Sequence, residues 1–136
     1  MKLENLKDKF RDYISNQSEI SILEEKESYF NFSSNGLIYV FETFEDDPYY
    51  FRMVLPNIFA IDDSNRDWLN TQIDDLSLSV KDARLIKNGS SVSAIADSFV
   101  YSPENIDYLF KRVLSCLVTI YNELKKNYIN EFKSES

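Results

Sequence analysis

Acidic side chains are the most plentiful source of chemistry in this chain. They cluster at Glu45-Asp46-Asp47, at Asp62-Asp63 with Asp67, and at Asp74-Asp75. Converging carboxylates can hold a divalent cation, or share a proton and so act as acid and base. The group at 62–67 lacks the spacing of a calcium loop and has a second sufficient cause in helix capping. The chain has no histidine, so nucleophile–base arrangements built on imidazole are excluded, with the usual histidine-dependent zinc chemistry. The lone Cys116 falls inside an apolar run, where a free thiol packs as a small hydrophobe and can form no intrachain disulfide. The two glycines, Gly36 and Gly89, each belong to a turn signal, which leaves none for a phosphate-cradling loop. No catalytic residue, metal or cofactor is expected. The rival expectation is a small-ligand or divalent-cation binder, or a carboxylate-dependent enzyme, using the acids near 62–67.

Charge narrows the partners. The formal net charge is -8, and residues 17–82 hold 14 acidic and 4 basic side chains. Nucleic acids and anionic membranes are bound by neutralising phosphates with Lys and Arg, so both are disfavoured. A basic protein or peptide is compatible, although solubility alone also explains acidity. The first residues, Met-Lys-Leu-Glu-Asn-Leu-Lys-Asp, are too polar for a signal peptide, and no apolar run reaches membrane-spanning length. The expected location is the cytoplasm. At 136 residues the chain is read as one domain.

The elements follow from periodicity. Leu3, Leu6, Phe10, Tyr13 and Ile14 give a short amphipathic helix over 2–14, ended by Asn16-Gln17-Ser18. Ile20, Ile22 and Leu23 could start a strand before an exposed acidic patch. From 28 to 59 the period is two, predicting a three-stranded meander turned at Asn35-Gly36 and at Glu45–Pro48. Its last strand, Tyr49 to Phe59, carries Phe51, Met53 and Leu55 on one face and Tyr50, Arg52 and Val54 on the other. Pro56 predicts an edge position or a bulge there. A helix over 64–77 is predicted, capped by Ser64 with Asp67 closing a capping box, and Trp68, Leu69, Ile73 and Leu76 form its buried side. A hairpin over 80–101 turns at Asn88-Gly89, with small Ala94 and Ala96 leaving room for a helix. Ser102-Pro103 then starts a long helix over 103–132. Its stripe is Ile106, Phe110, Val113, Leu117, Ile120, Leu124 and Tyr128.

Binding features rest on large side chains. Tyr49, Tyr50 and Trp68 lie near turns or element ends and suit an interface, with Arg52 beside them; in a small domain such aromatics also serve as core. Leu109, Cys116, Tyr121 and Phe132 widen the stripe of the long helix beyond one flat contact. A two-fold dimer would cover them, and so would wrapping by the first helix.

The run Val80-Lys-Asp-Ala-Arg-Leu-Ile-Lys-Asn-Gly-Ser-Ser-Val-Ser-Ala-Ile-Ala-Asp-Ser-Phe-Val100, followed by the Ser-Pro-Glu start of a helix, resembles the closing half of YbjN-like bacterial proteins. Those share the fold of type III secretion chaperones, and the similarity of element order covers nearly the whole chain. The resemblance implies an α+β fold of order α-β-β-β-α-β-β-α, an antiparallel sheet packed by helices. It also implies a small, acidic, cytoplasmic, dimeric protein that holds an extended segment of a client. The expectation is thus a non-enzymatic protein- or peptide-binding domain, chaperone- or adaptor-like and homodimeric.

Overall fold

A computed structural model of the chain describes residues 5–133. The order is α1 (Leu6–Ser15), β1 (Ile20–Glu25), β2 (Tyr29–Ser34), β3 (Leu37–Phe44), β4 (Asp47–Ala60), α2 (Arg66–Ser79), β5 (Ala83–Asn88), β6 (Ser91–Phe99) and α3 (Ile106–Tyr128). All strand pairs are antiparallel, in the order β1-β2-β3-β4-β6-β5. The fold is α+β: one antiparallel sheet packed by helices. Four strands, not three, precede α2, because Ile20 and Ile22 pair with β2 and lean on the core. Leu3 lies outside the described residues.

Local chemistry accounts for the turns and ends. Asn35 (φ 51°) and Gly36 (φ 82°) both take the positive angles of a two-residue hairpin turn. The second turn is tighter than its composition implies. Only Glu45 and Asp46 form it, and Asp47-Pro48 already belong to β4. Pro103 opens a single 3-10 turn before α3, and its cap is Ser102, whose Oγ accepts from the Glu104 amide. The cap of α2 differs from expectation. Ser64 is a donor here, and the Asp62 carboxylate accepts from the Ser64 and Asn65 amides at 2.8 and 3.1 Å. The helix itself begins at Arg66, and Asp67 makes no capping box. The predicted strand start at Val80 is too early: Val80 caps α2, and Asp82 (φ 63°) turns the chain into β5 at Ala83.

The core lies on one face of the sheet. Phe30, Phe32, Phe41, Phe51, Met53 and Leu55 are fully or almost fully buried there. Phe10 of α1 packs on the stacked pair Phe41 and Phe51, its ring centroid 4.7 Å from each. The predicted stripe of α3 is the buried one, from Ile106 to Leu124, and it packs on β6, where Ala94 and Ala96 are 0% exposed. α2 closes the same side against β5 and α3. Among the described residues the opposite face of the sheet carries no helix.

Pro56 sits in a central strand, not at an edge, and the bulge reading is the one realised. The β4–β6 register shifts between Leu55 and Phe59, and β3 pairing has ended by Val54, so the missing Pro56 amide costs no ladder bond. Asn57 at the bulge takes φ 53°. Its amide donates to Ser93 Oγ at 3.0 Å and its Oδ1 accepts from Ser91 Oγ at 2.6 Å.

Candidate functional site

The helix-free face is built by residues that alternate with the core. Register sorts them into three rows crossing the sheet. Asn31, Val40, Val54 and Ile95 form a mainly apolar row. One step along each strand lie Glu42, Arg52 and Asp97. At the end nearest the β3–β4 turn lie Phe44, Tyr50 and Phe99, with centroid separations of 5.5 and 5.3 Å; Tyr101 continues them 6.4 Å beyond Phe99. A shallow groove of about 360 Å³ runs over the apolar row, bounded by Pro56 and Ile86 on one side and by Glu42 and Arg52 on the other.

The polar row is internally bonded. Arg52 Nε donates to Glu42 Oε1 at 3.0 Å, and the guanidinium lies 5.0 Å from the Phe44 ring centroid, a cation–π distance. Asp97 accepts from the Tyr50 hydroxyl at 2.6 Å and pairs with Arg84 at 3.5 Å. Burial, and then this bond to Asp97, push Tyr50 up to about 12, so its hydroxyl stays a donor throughout the neutral range. Ile38 (52%), Phe99 (47%) and, beyond it, Tyr101 (77%) are open large apolar groups on this face.

Of the four predicted contact residues, Tyr50 and Arg52 share this face. Tyr49 alternates to the other side at the rim, where its carbonyl accepts from the Val100 amide at 2.7 Å. Trp68 is distant from it. It packs on Tyr128 at 5.9 Å and Phe132 at 5.1 Å, pinning the end of α3 to α2. Leu109, Cys116 and Tyr121, the predicted dimer face, are half-buried against the core. Desolvation there pushes the Cys116 thiol up, toward the unreactive form.

The acidic clusters do not converge. Asp62 is tied to Ser64 and Asn65, and the Ser64 hydroxyl bond in particular keeps its carboxylate below the ordinary value. Asp63 pairs with Arg66 at 2.6 Å. Among the described residues no group of three or more His, Cys, Asp or Glu side chains is placed to hold a metal ion. No helix among them is long and apolar enough to cross a membrane.

Both sheet edges are blunted. The Leu85 amide on β5 is taken by Ser77 Oγ of α2 at 2.9 Å. β1 carries a register shift at Leu23, and the carbonyl of Lys26, just past its end, accepts from Lys7 Nζ at 2.7 Å. These features blunt each edge at one point.

Sequence reasoning missed Glu42, Phe44, Arg84, Asp97 and Phe99. Each carries the right period-two signal, but their meeting depends on β6 lying beside β4. The chain matches no family model, and no curated protein matches it in sequence.

Proposed function

We propose that this chain is a non-enzymatic protein-binding module that docks a protein partner on the helix-free face of its sheet. The observation that carries this reading is an apolar row, the half-buried Val40 and Val54 with Ile95 at 6% exposure, framed by bonded charges and a run of aromatic rings, with no helix among the described residues packed on it. A client segment seats apolar side chains over Val54 and is gripped by Phe99 and Tyr101, rigid groups that lose little entropy on contact. The resemblance to YbjN-like proteins and secretion chaperones supports a chaperone- or adaptor-like role, cytoplasmic and without cofactor. The added strand β1 is a departure from that element order. The local bonding of Asp62 and Asp63 favours docking over carboxylate chemistry.

Peptides selected by display against the pure protein, then mapped by amide chemical shifts, test this. The expected shifts fall on Val40, Val54 and Ile95, and Val54→Asp abolishes binding. Shifts centred on 62–67, or a selection that yields no binder, would sink the reading.

A further inference from the structure

We propose that the partner matched to this face is a second copy of the same chain. The inference rests on the reading of the face as a protein-docking surface and names its occupant when no client is present. Across four adjacent strands the charges alternate: Glu42 on β3, Arg52 on β4, Asp97 on β6 and Arg84 on β5. Arg84 pairs with Ile95 in register, one step along, but its guanidinium returns to Asp97. Such a row is its own complement. Read from the opposite edge, minus-plus-minus-plus becomes plus-minus-plus-minus.

A two-fold axis parallel to the strands, between β4 and β6, puts Glu42 over Arg84 of the second copy. The same operation puts Arg52 over Asp97, and each contact occurs twice. It also lays Val54 over Ile95, which is 6% exposed, and Tyr50 over Phe99, so apolar groups meet at those two positions. Sheets pack face to face in this aligned manner at about 10 Å, within reach of these side chains.

Two further points favour a copy over a basic client. The chain carries -8 overall, yet this row sums to neutral. A partner chosen by bulk charge has nothing to select here, whereas an alternating row rejects partners with the wrong order. Each charge also enters the interface already bonded within its own chain, so burial strands no lone ion. Among the described residues Arg52 binds Glu42 through Nε, leaving its terminal amino groups for the facing carboxylate.

Sedimentation of the full chain over a concentration series at near-physiological salt is the test. The expected result is a dimer that Glu42→Arg and Arg84→Glu each weaken by about a hundredfold, since each substitution opposes like charges twice. An equimolar mixture of the two variants restores association, because each supplies the sign the other lacks; intramolecular repair cannot produce that rescue. Val54→Asp, which leaves all four charges in place, breaks the dimer from the apolar row and serves where a reversal fails to fold. A wild type monomeric at every concentration overturns the proposal. So does a dimer indifferent to these changes, or a mixture of folded variants that stays monomeric. If the wild type is monomeric while selected peptides still map to Val54, the second-copy proposal falls and the docking reading stands.

Discussion

The two faces of the sheet are made from the same strands and obey opposite rules. On the helix side, aromatic rings pack ring to ring under α1, with Phe10, Phe41 and Phe51 all 0% exposed. On the open side the alternate positions of those strands hold Val40, Glu42, Tyr50, Arg52 and Val54, half-buried, with Arg52 bonded to Glu42 and Tyr50 to Asp97. The first face removes apolar area from water and supplies most of the stability. The second bonds its charged groups to one another without cover, as a surface must if it is to exist both alone and against a partner, and leaves the buried Asn31 Oδ1 without a partner among the described residues. Stability and binding therefore reside on opposite sides of one sheet.

The largest test of that division is Phe10→Ala. It leaves a cavity over the stacked Phe41 and Phe51 and is expected to lower unfolding free energy by about 3–5 kcal/mol in denaturant titration. Val54→Ala, on the same sheet but the other face, is expected to cost about 1 kcal/mol or less. Similar losses for the two would erase the distinction.

A smaller effect comes with alkali. Tyr50 on the open face, Tyr39 in the core and Tyr13 between α1 and α3 are all raised to about 12 from 10.0, desolvation being the first cause in each. Tyr13 also bonds Asp107 across those helices. A value raised by folding contributes stability that is complete below the unfolded pKa and lost as pH rises through the folded one. Stability is thus expected to decline between pH 10.0 and about 12, with a slow-titrating class of tyrosine in ultraviolet absorbance. Tyr50→Phe should remove one member of that class. Titration of every tyrosine together near its ordinary value would contradict this.

The smallest effect concerns the rim. Glu25 accepts from Lys7 and Arg11, each at 2.9 Å, and the Lys7 bond is the leading reason its carboxyl lies below the ordinary value. Here the sign reverses. The contribution is present above the ordinary pKa and lost as pH falls through the lowered one. Amide exchange in α1 is expected to quicken in acid before exchange in β3 and β4 does. Glu25→Gln should bring that quickening to neutral pH. An α1 insensitive to both would place its docking on its buried apolar side chains, Leu6, Phe10 and Ile14.

What was legible in the sequence was what lies within a few residues. The stripe from Ile106 to Leu124, the alternation from Tyr49 to Leu55, the Asn35-Gly36 turn and the Ser102 cap are each set by backbone period or a single side chain's reach. The α2 cap was misread because Asp62, Ser64 and Asn65 all offer capping oxygens, and only loop geometry chooses among them. Trp68 was read as both a buried residue and a contact residue. Its half-buried place against Phe132 follows from where α3 ends.

The candidate site was legible only in part, through Tyr50 and Arg52. Their partner Asp97 stands 47 residues from Tyr50 in the chain, and it arrives because β6 inserts between β4 and β5. Period two places Asp97 on a face but cannot say which strand lies next to it. That choice belongs to the packing of Ala94 and Ala96 under α3 and to the α2 crossover, a balance of non-local burial against loop closure that no local pattern encodes. The sequence by itself determined the two kinds of face. Only the tertiary structure decided the order of charges across one of them.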